Sequence, residues 1–221
     1  MSQQANRYFL VHKPYKMVSQ FVSPDKVRLL GDLNFNFPEG THAIGRLDNN
    51  SEGLLLLTTN KKVTKLLFES GVPHRRVYII QVEGVISDET LQTLRTGVVI
   101  ILKGKGSKTY TTEPCEVERI VKPSYLEKRQ HEFSDALPCS WLRMTLTEGK
   151  YHQVRKMVAV VGHDCKRLVR ESIEDLNILN LKVGEVLEID ESAFFTKLKI
   201  DNWELPLPHK SNNFEKEYRV K

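Results

Sequence analysis

The sequence predicts an α+β fold with a mixed, mainly antiparallel sheet and flanking helices. Short runs rich in β-branched and aromatic residues, each bounded by turn-forming residues, recur along the chain and are typical of strands. Segments with apolar residues at helical spacing lie between some of these runs. No internal repeat is evident. This mixture of many strands with interspersed helices favours the α+β class.

The predicted strands are apolar or alternating runs. One of them, LLLLTT, is apolar on both faces, which predicts a strand buried on both sides. The runs are YFLVHKP (8–14), HAI (42–44), LLLLTT (54–59), RVYIIQVEG (76–84), VVIIL (98–102), TTEPCEVERIV (111–121), SWLRMTLTEG (140–149), CKRLVRESI (165–173) and GEVLEI (184–189). A Gly- and Lys-rich hairpin, KGKGSK (103–108), separates two of these strands.

Three segments predict helices, at 60–71, 87–97 and 151–162. Asn60 is the expected N-cap of the first, and Ser87 is the expected N-cap of the second, where an acidic first turn follows it. The polar stretch 122–138 is broken by prolines at its ends, which indicates a surface loop.

The chain is expected to divide near residue 190. Residues 1–190 carry the predicted strands and helices, and residues 191–221 grow polar and proline-broken, which predicts a loosely held tail.

Composition limits the class of protein. With 221 residues, 40% of them hydrophobic, the chain can bury a globular core. Its net charge of +5 and pI near 9.0 indicate a mild bias toward an anionic partner. Three widely spaced cysteines argue against a disulfide framework and against a Cys-x-x-Cys site. We therefore expect a reducing, cytoplasmic location, and no run of eighteen apolar residues predicts a membrane span.

The stretch GRLDNNSEG (45–53) lies between two predicted strands. One interpretation is a turn without further role, since Asp, Asn, Ser and Gly are common turn formers. The alternative is a site, because Arg46 and Asp48 share one alternation parity while Leu47 points to the other face. A cationic neighbour keeps a partly buried aspartate ionised, as a carboxylate nucleophile or electrostatic stabiliser requires. Asp48 is therefore a candidate catalytic residue.

A basic segment runs from Gly149 to Arg170 and holds six Lys or Arg and one acidic residue. On a helical wheel its valines and methionine face one side, and the opposite side holds His152, Arg155, Lys156 and Ala159. The basic residues continue into the next predicted strand at Lys166, Arg167 and Arg170. The segment is either a solvated basic face or a stripe that contacts phosphates.

Tyr78 follows Arg75 and Arg76 in HRRVYIIQVEG. A tyrosine in a strand is most often a core residue, but an aromatic beside basic residues also suits the stacking of an unstacked base near its phosphate. The motifs of dinucleotide sites, phosphate-binding loops, zinc proteases and serine hydrolases are absent from the sequence. Its seven histidines lack ligand spacing, so we expect neither a metal nor a cofactor.

Four of these motifs together resemble one family. GRLDNNSEGLLLLTTN (45–60) is similar to the Gly-Arg-Leu-Asp-x-x-Ser/Thr-x-Gly-Leu-Leu-Leu-Leu-Thr-Asn motif of the RsuA-like ribosomal RNA pseudouridine synthases. RVYIIQVEG, EGKYHQVRKM and KRLVR resemble that family's later motifs in the same order, and the likeness covers Tyr8 to Asp190. Within the family, the chain is most similar to the large-subunit synthase E group. This likeness is carried by the opening YFLVHKPYKMVSQF, the segment PCSWLRMTLTEG and the lack of an N-terminal S4-like domain.

The resemblance implies a two-lobed α+β domain with a central cleft. It assigns Asp48 as the catalytic aspartate, Tyr78 as the tyrosine that stacks on uracil, and Arg155 as the arginine that pairs with the aspartate. It also implies that Arg46 helps to displace the target base. The other predicted RNA-binding residues are Arg75, Arg76, Lys150, His152, Gln153, Lys156, Lys166, Arg167 and Arg170.

The resemblance implies the isomerisation of one uridine to pseudouridine in a stem-loop of 23S ribosomal RNA, by a monomer that needs no cofactor. Two alternatives stay open: the same reaction on 16S ribosomal RNA or transfer RNA, and a non-catalytic RNA-binding or ribosome-assembly protein. The sequence departs from the family pattern after Asn60, where Lys61 and Lys62 follow. Many relatives also carry an S4-like RNA-binding domain ahead of the catalytic one, whereas seven residues precede the first predicted strand here. RNA selection is therefore expected to rest on the catalytic domain, its basic stripe and the tail.

Overall fold

The computed structural model describes residues 5–102, 106–129 and 131–205. Each predicted strand and helix overlaps an observed one. In chain order the elements are β1 (Tyr8–Lys13), β2 (His42–Ile44), β3 (Glu52–Thr58), α1 (Val63–Phe68), β4 (Arg76–Glu83), α2 (Asp88–Thr96), β5 (Val99–Leu102), β6 (Lys108–Thr111), β7 (Glu116–Ile120), β8 (Cys139–Leu146), α3 (Gln153–Val160), β9 (Cys165–Ile173), β10 (Leu176–Asn177), β11 (Val186–Ile189) and α4 (Glu191–Lys197).

Nine of the described strands form one sheet. Its order is β11-β1-β3-β9-β4-β8-β7, with β2 added beside β3 and β10 beside β9. Among the described strands, β3 and β9 run parallel and the other pairs are antiparallel. A separate hairpin joins β5 to β6. The predicted mixed, mainly antiparallel α+β fold is therefore confirmed.

The parallel joint between β3 and β9 is short. It pairs Glu52 with Val169 and Gly53 with Arg170, and β2 then takes over as the neighbour of β3. Gly53 has a φ of 104°, and a Cβ there would lie 2.2 Å from the Arg170 carbonyl oxygen. Only glycine allows this close approach of the two backbones. The sheet thus divides into two halves directly behind the predicted Asp48 loop.

Side chains pack on both faces of the sheet. Leu54 and Leu56 of β3 enter one hydrophobic cluster, and Leu55 and Leu57 enter another on the opposite face. All four leucines are fully buried, as the uninterrupted apolar run predicts. A third cluster lies where α2 and α3 pack on β4, β8 and β9. The strand that follows the Asp48 loop is therefore fixed from both sides.

The prediction of a loose tail from residue 191 is wrong for its first part. Asp190 caps α4, since its Oδ1 accepts hydrogen bonds from the Ser192 and Ala193 backbone amides at 2.8 and 3.2 Å. Phe194 and Phe195 are fully buried and pack against Tyr8 of β1. The polar surroundings hid this apolar pair. Residues 206–221 of the predicted tail lie outside the described residues.

Smaller differences concern two segments. Asn60 is not the N-cap of α1; Lys62 occupies that position, and the Asn60 side chain instead accepts a hydrogen bond from the Lys62 amide at 3.0 Å. The second strand of the β5 hairpin is β6, whereas the predicted strand at 111–121 became β7 of the main sheet. The predicted KGKGSK turn lies partly outside the described residues. Ser87 caps α2, as predicted.

Candidate active site

Asp48 lies in the loop between β2 and β3, near the division of the sheet. The backbone amide of Ser51 donates to the Asp48 carbonyl at 3.0 Å, which closes a tight turn. Next to it, Leu47 is buried, and its amide and carbonyl are both hydrogen bonded to the Ser19 hydroxyl at 2.9 Å. The loop is therefore held at both ends, and the Asp48 side chain stays 27% exposed.

Three side chains surround the Asp48 carboxylate. His152 places Nε2 3.2 Å from Oδ1, and Arg155 places Nε 3.9 Å from Oδ2. The Ser51 hydroxyl lies 3.5 Å from Oδ2, at the limit of hydrogen-bond distance. Two cationic or potentially cationic groups thus face the two oxygens separately. The carboxylate therefore has nitrogen donors on both of its oxygens.

Arg155 connects the Asp48 loop to α3 and β9. Its Nη2 donates to the Asn50 carbonyl at 2.9 Å and to the Ser51 hydroxyl at 3.3 Å, and its Nη1 donates to the Cys165 carbonyl at 3.2 Å. These bonds fix the guanidinium, so that its charge stays beside Asp48 without a bidentate ion pair. Positive charge thus lies beside the Asp48 carboxylate, which stays accessible from the cavity.

Tyr78 of β4 lines the same cavity as Asp48. The cavity has a volume of about 90 Å³. Its lining residues are Arg46, Leu47, Asp48, Ser51, Tyr78, Leu146, Glu148, Gly149, Lys150, His152, Gln153, Val154 and Leu168. The structure thus brings Asp48, Tyr78 and the neighbours of Arg155 together from three separate segments of the chain.

Arg170 lies behind Tyr78 and is fully buried. Its Nε donates to the Leu54 carbonyl at 2.8 Å. Burial lowers the pKa of Arg170, and the nearby Tyr78 hydroxyl acts in the opposite direction. Arg170 therefore supports the tyrosine from inside the sheet.

The predicted basic stripe does not form a continuous exposed surface. Arg167 is buried and makes ion pairs with Glu52 and Glu132, and Arg170 is buried behind Tyr78. Lys166 is partly exposed but pairs with Glu83 and with Asp164. The prediction of phosphate contacts is therefore wrong for Arg167 and Arg170 in this structure, because their charges point into the protein.

Two further predicted RNA contacts are internal. Arg76 is buried, donates to the Thr147 carbonyl at 3.3 Å, and lies over the ring of Phe68. Gln153 is buried and bonds to the Lys150 amide and the Glu148 carboxylate. Both predictions are corrected: these side chains stabilise the turn before α3 instead of meeting solvent.

The remaining predicted contacts reach the surface to different degrees. Arg75 is 56% exposed and makes a long ion pair with Glu116. Lys150 is exposed, with its ammonium over the ring of Tyr110, whereas Lys156 is half-buried beside Tyr151. Arg46 lines the cavity and donates to the Gln20 side chain at 3.1 Å. Of these, Arg46 and Lys150 line the cavity that holds Asp48, whereas Arg75 lines a different one.

Sequence reasoning missed Lys13, which lies close to the site. Its side chain is fully buried, and its Nζ donates to the Pro14 and Met17 carbonyls at 3.0 and 2.6 Å. Burial lowers the pKa of Lys13 to about 7, although the charges of Glu52 and Asp48 act in the opposite direction. The apolar strand pattern around Lys13 in YFLVHKP was the signal that this lysine is internal.

Within the described residues, no group of three or more His, Cys, Asp or Glu side chains has the arrangement of a metal site. None of the helices in that part of the chain has the length and apolar character needed to span a bilayer.

Comparison with known proteins identifies the family. The family model described as RNA pseudouridylate synthase matches residues 7–160, which is most of the chain. The chain belongs to the RNA pseudouridylate synthase family. It is thus an RNA pseudouridine synthase, an isomerase, as the resemblance implied.

Two relatives extend this match. The chain is 34% identical over 190 residues to the ribosomal large subunit pseudouridine synthase E of Vibrio vulnificus, covering 86% of this chain and 77% of that protein. It is 35% identical over 181 residues to the protein of the same name from Xanthomonas campestris, covering 80% of this chain and 91% of that protein.

A solved structure supports the fold. A crystal structure of a pseudouridylate synthase aligns with a TM-score of 0.67 and 23% identity, and the alignment covers 90% of this chain and 76% of that one. The two chains therefore share one fold.

Proposed function

We propose that this enzyme isomerises one uridine of 23S ribosomal RNA to pseudouridine, with Asp48 as its catalytic carboxylate. The observation that carries this proposal is the Asp48 side chain, which is partly exposed at a cavity that also holds Tyr78, with Arg155 beside it. The choice of large-subunit RNA is supported by the names of the synthases to which the chain is 34% and 35% identical.

The reaction rearranges one nucleoside without changing its composition. The bond from uracil N1 to ribose C1′ breaks, the base turns, and a bond forms from C5 to C1′. The proton on C5 leaves, and N1 gains a proton. An enzyme must first flip the uridine out of its stack and then retain the detached base.

Each proposed role follows from position. Tyr78 lines the cavity beside Asp48, which supports a role in stacking on the uracil while the base turns. Asp48 supplies its carboxylate to the reacting carbon or proton, and Arg155 places positive charge beside that carboxylate. Arg46 lines the same cavity, which supports a role in displacing or replacing the target base.

The proposal extends to the context of the reaction. The catalytic unit takes in residues 1–190 together with α4, since Phe194 and Phe195 complete its core. We assign the enzyme to the cytoplasm, acting as a monomer on a stem-loop. Lys150 and Arg75 are the exposed predicted cations for phosphate contact, in place of the buried Arg167 and Arg170.

The test is a pseudouridine-specific reverse-transcription stop assay on unmodified 23S ribosomal RNA. The wild-type protein should give one new stop, and Asp48→Asn should give none while it still binds the RNA. Asp164→Asn is the matched control, because Asp164 is a highly exposed carboxylate that pairs only with Lys166 among the described residues. It should act like wild type.

Other outcomes would point to the alternatives. A stop confined to 16S ribosomal RNA or transfer RNA would reject the 23S assignment and keep the enzyme class. An Asp48→Asn variant that gives the same stop as wild type would reject the catalytic role of Asp48.

A further inference from the structure

His152 contacts the Asp48 carboxylate directly, although the sequence placed it among the RNA contacts. Its Nε2 lies 3.2 Å from Asp48 Oδ1, whereas the Nε of Arg155 lies 3.9 Å from Asp48 Oδ2. Arg155 and Ser51 approach the other oxygen, Oδ2. The imidazole is therefore the group on Oδ1, the oxygen that Arg155 leaves open.

The backbone of His152 is held in an uncommon conformation. Its φ of 55° and ψ of 29° are left-handed, which costs a non-glycine residue about 1 kcal/mol or more. Gln153 maintains this turn, since its side chain accepts from the Lys150 amide at 2.8 Å and donates to Glu148 at 2.6 Å. Strain of this kind persists where surrounding contacts fix it, and it is common at active sites. Here it turns the imidazole toward Asp48.

The plane of the imidazole is fixed as well. The ring of Tyr151 stacks on it with a centroid distance of 3.9 Å and an interplanar angle of 18°. Lys156 of α3 places its ammonium 5.3 Å from the centre of the Tyr151 ring. Backbone and ring contacts together leave the imidazole little freedom to turn away from Oδ1.

We propose that His152 is a positioning residue for Asp48, which holds the carboxylate in its reactive orientation and makes turnover depend on the charge of the imidazole. This proposal rests on the proposed function of Asp48. A neutral imidazole donates one hydrogen bond to Oδ1 and releases it when the uridine enters. A protonated imidazole forms an ion pair with the carboxylate, which is stronger than the bond from the neutral ring, so it competes with the substrate for Oδ1.

Turnover is therefore expected to fall in acid, because histidine side chains ordinarily change charge between about pH 5 and 8. Other charged groups face the same place from the loop, β1, the turn before α3, and α3 itself. They are Arg46, Asp48, Lys13, Glu148, Lys150 and Arg155. Lys13 also titrates in this range, so the test compares variants that all retain it.

The kinetic test uses His152→Ala and His152→Asn. Asparagine tolerates the left-handed backbone and keeps an N–H donor, but it does not titrate. We expect His152→Ala to lower kcat by about 10-fold to 100-fold with the Kd for RNA changed less than about 3-fold. His152→Asn should recover most of the kcat and lose the decrease that wild type shows from pH 7.5 to pH 5.5.

His163→Gln is the matched control. His163 follows the same helix, and its Nδ1 contacts the Glu83 carbonyl at 2.8 Å, away from Asp48. It should keep both the wild-type kcat and the wild-type pH profile. A His152→Ala variant with normal kcat and weaker RNA binding would overturn the proposal and return His152 to a plain RNA contact.

A second measurement does not depend on turnover. The imidazole resonances of His152 can be compared by nuclear magnetic resonance in the free wild-type protein and in Asp48→Asn. Loss of the contact with the Asp48 carboxylate should change the chemical shifts of the His152 imidazole, whereas those of His163 should stay unchanged. Unchanged His152 shifts would overturn the proposed contact even if the enzyme class were correct. Absence of wild-type activity on 23S RNA, with the His152 shifts changed, would instead reject the proposed substrate alone.

Discussion

Asp48 and Glu52 begin and end one short turn, yet the structure treats their carboxylates in opposite ways. Asp48 is 27% exposed, with a His152 nitrogen 3.2 Å away and an Arg155 nitrogen 3.9 Å away. Glu52 is 2% exposed and accepts hydrogen bonds at 3.0 Å from both Nε and Nη2 of Arg167, and at 2.7 Å from Arg129. One carboxylate is left accessible beside positive charge, and the other is fully paired.

The difference separates chemistry from structure within one turn. A bidentate arginine pair occupies both oxygens of Glu52, and the side chain is buried, so a substrate cannot reach it. Its partner Arg167 was predicted to bind phosphate, and it instead ties β9 to the start of β3. The buried pair holds the end of the turn, and this lets Asp48 at the other end keep its loose contacts.

The largest expected effect is on catalysis at Asp48. Asp48→Asn should lower turnover by roughly 1,000-fold or more, because the amide supplies neither a base nor a nucleophile. The free energy of unfolding should change by less than about 0.5 kcal/mol, since the side chain is partly exposed and loosely bonded. Single-turnover kinetics and urea unfolding measure the two quantities. A large loss of stability would mean that Asp48 is structural, as Glu52 is.

Glu52→Gln should show the reverse pattern. Removal of one partner of a buried ion pair leaves Arg167 and Arg129 with excess charge and costs about 3 to 5 kcal/mol of stability. Thermal or urea unfolding measures this loss. At a temperature where the variant is folded, its turnover should fall far less than that of Asp48→Asn. Glu188→Gln is a suitable control, because its pair with Arg7 is exposed and its loss should leave the free energy of unfolding almost unchanged.

Lys13 lies near both carboxylates and should link stability to pH. Its pKa is about 7 in the folded protein, against an ordinary value of 10.5. The unfolded chain then binds more protons between these values, so the contribution to stability is complete above about pH 10.5 and is lost as the pH falls toward 7. Between pH 7 and pH 9 the free energy of unfolding should rise by roughly 2 kcal/mol relative to Lys13→Met. Parallel pH slopes for the two proteins would show that Lys13 keeps its ordinary titration.

The sequence predicted the sheet and the Asp48 loop more accurately than the contacts that the charged side chains make. Apolar runs such as LLLLTT and the cap at Ser87 are local patterns, and local patterns determine strands and helix ends. Whether Arg167 faces a phosphate or a carboxylate depends on Glu52, which is distant in sequence and is brought close by the β3–β9 joint. Charge partners of this kind are set by tertiary pairing and leave no local signal.

His152 shows the same limit from the other side. The helical wheel placed it on the polar side with Arg155, and in the structure both side chains approach the same carboxylate. Its contact with Asp48 depends on a left-handed backbone at a residue other than glycine, and helical spacing does not reveal such a turn. The candidate site could thus be named from sequence, while the contacts within it required the fold.

The smallest expected effect is at Ser51, which lies between the two carboxylates. Its hydroxyl accepts from Arg155 at 3.3 Å and approaches Asp48 at 3.5 Å, and the side chain is buried. Ser51→Ala removes these weak bonds but keeps the backbone turn, so kcat should fall only a few-fold, in keeping with about 1 kcal/mol for one hydrogen bond. Steady-state kinetics with the RNA fragment measures this. A loss as large as that of Asp48→Asn would mean that the Ser51 hydroxyl takes part in the chemistry. The reactive part of the turn would then comprise both Asp48 and Ser51, with Glu52 alone as the structural residue.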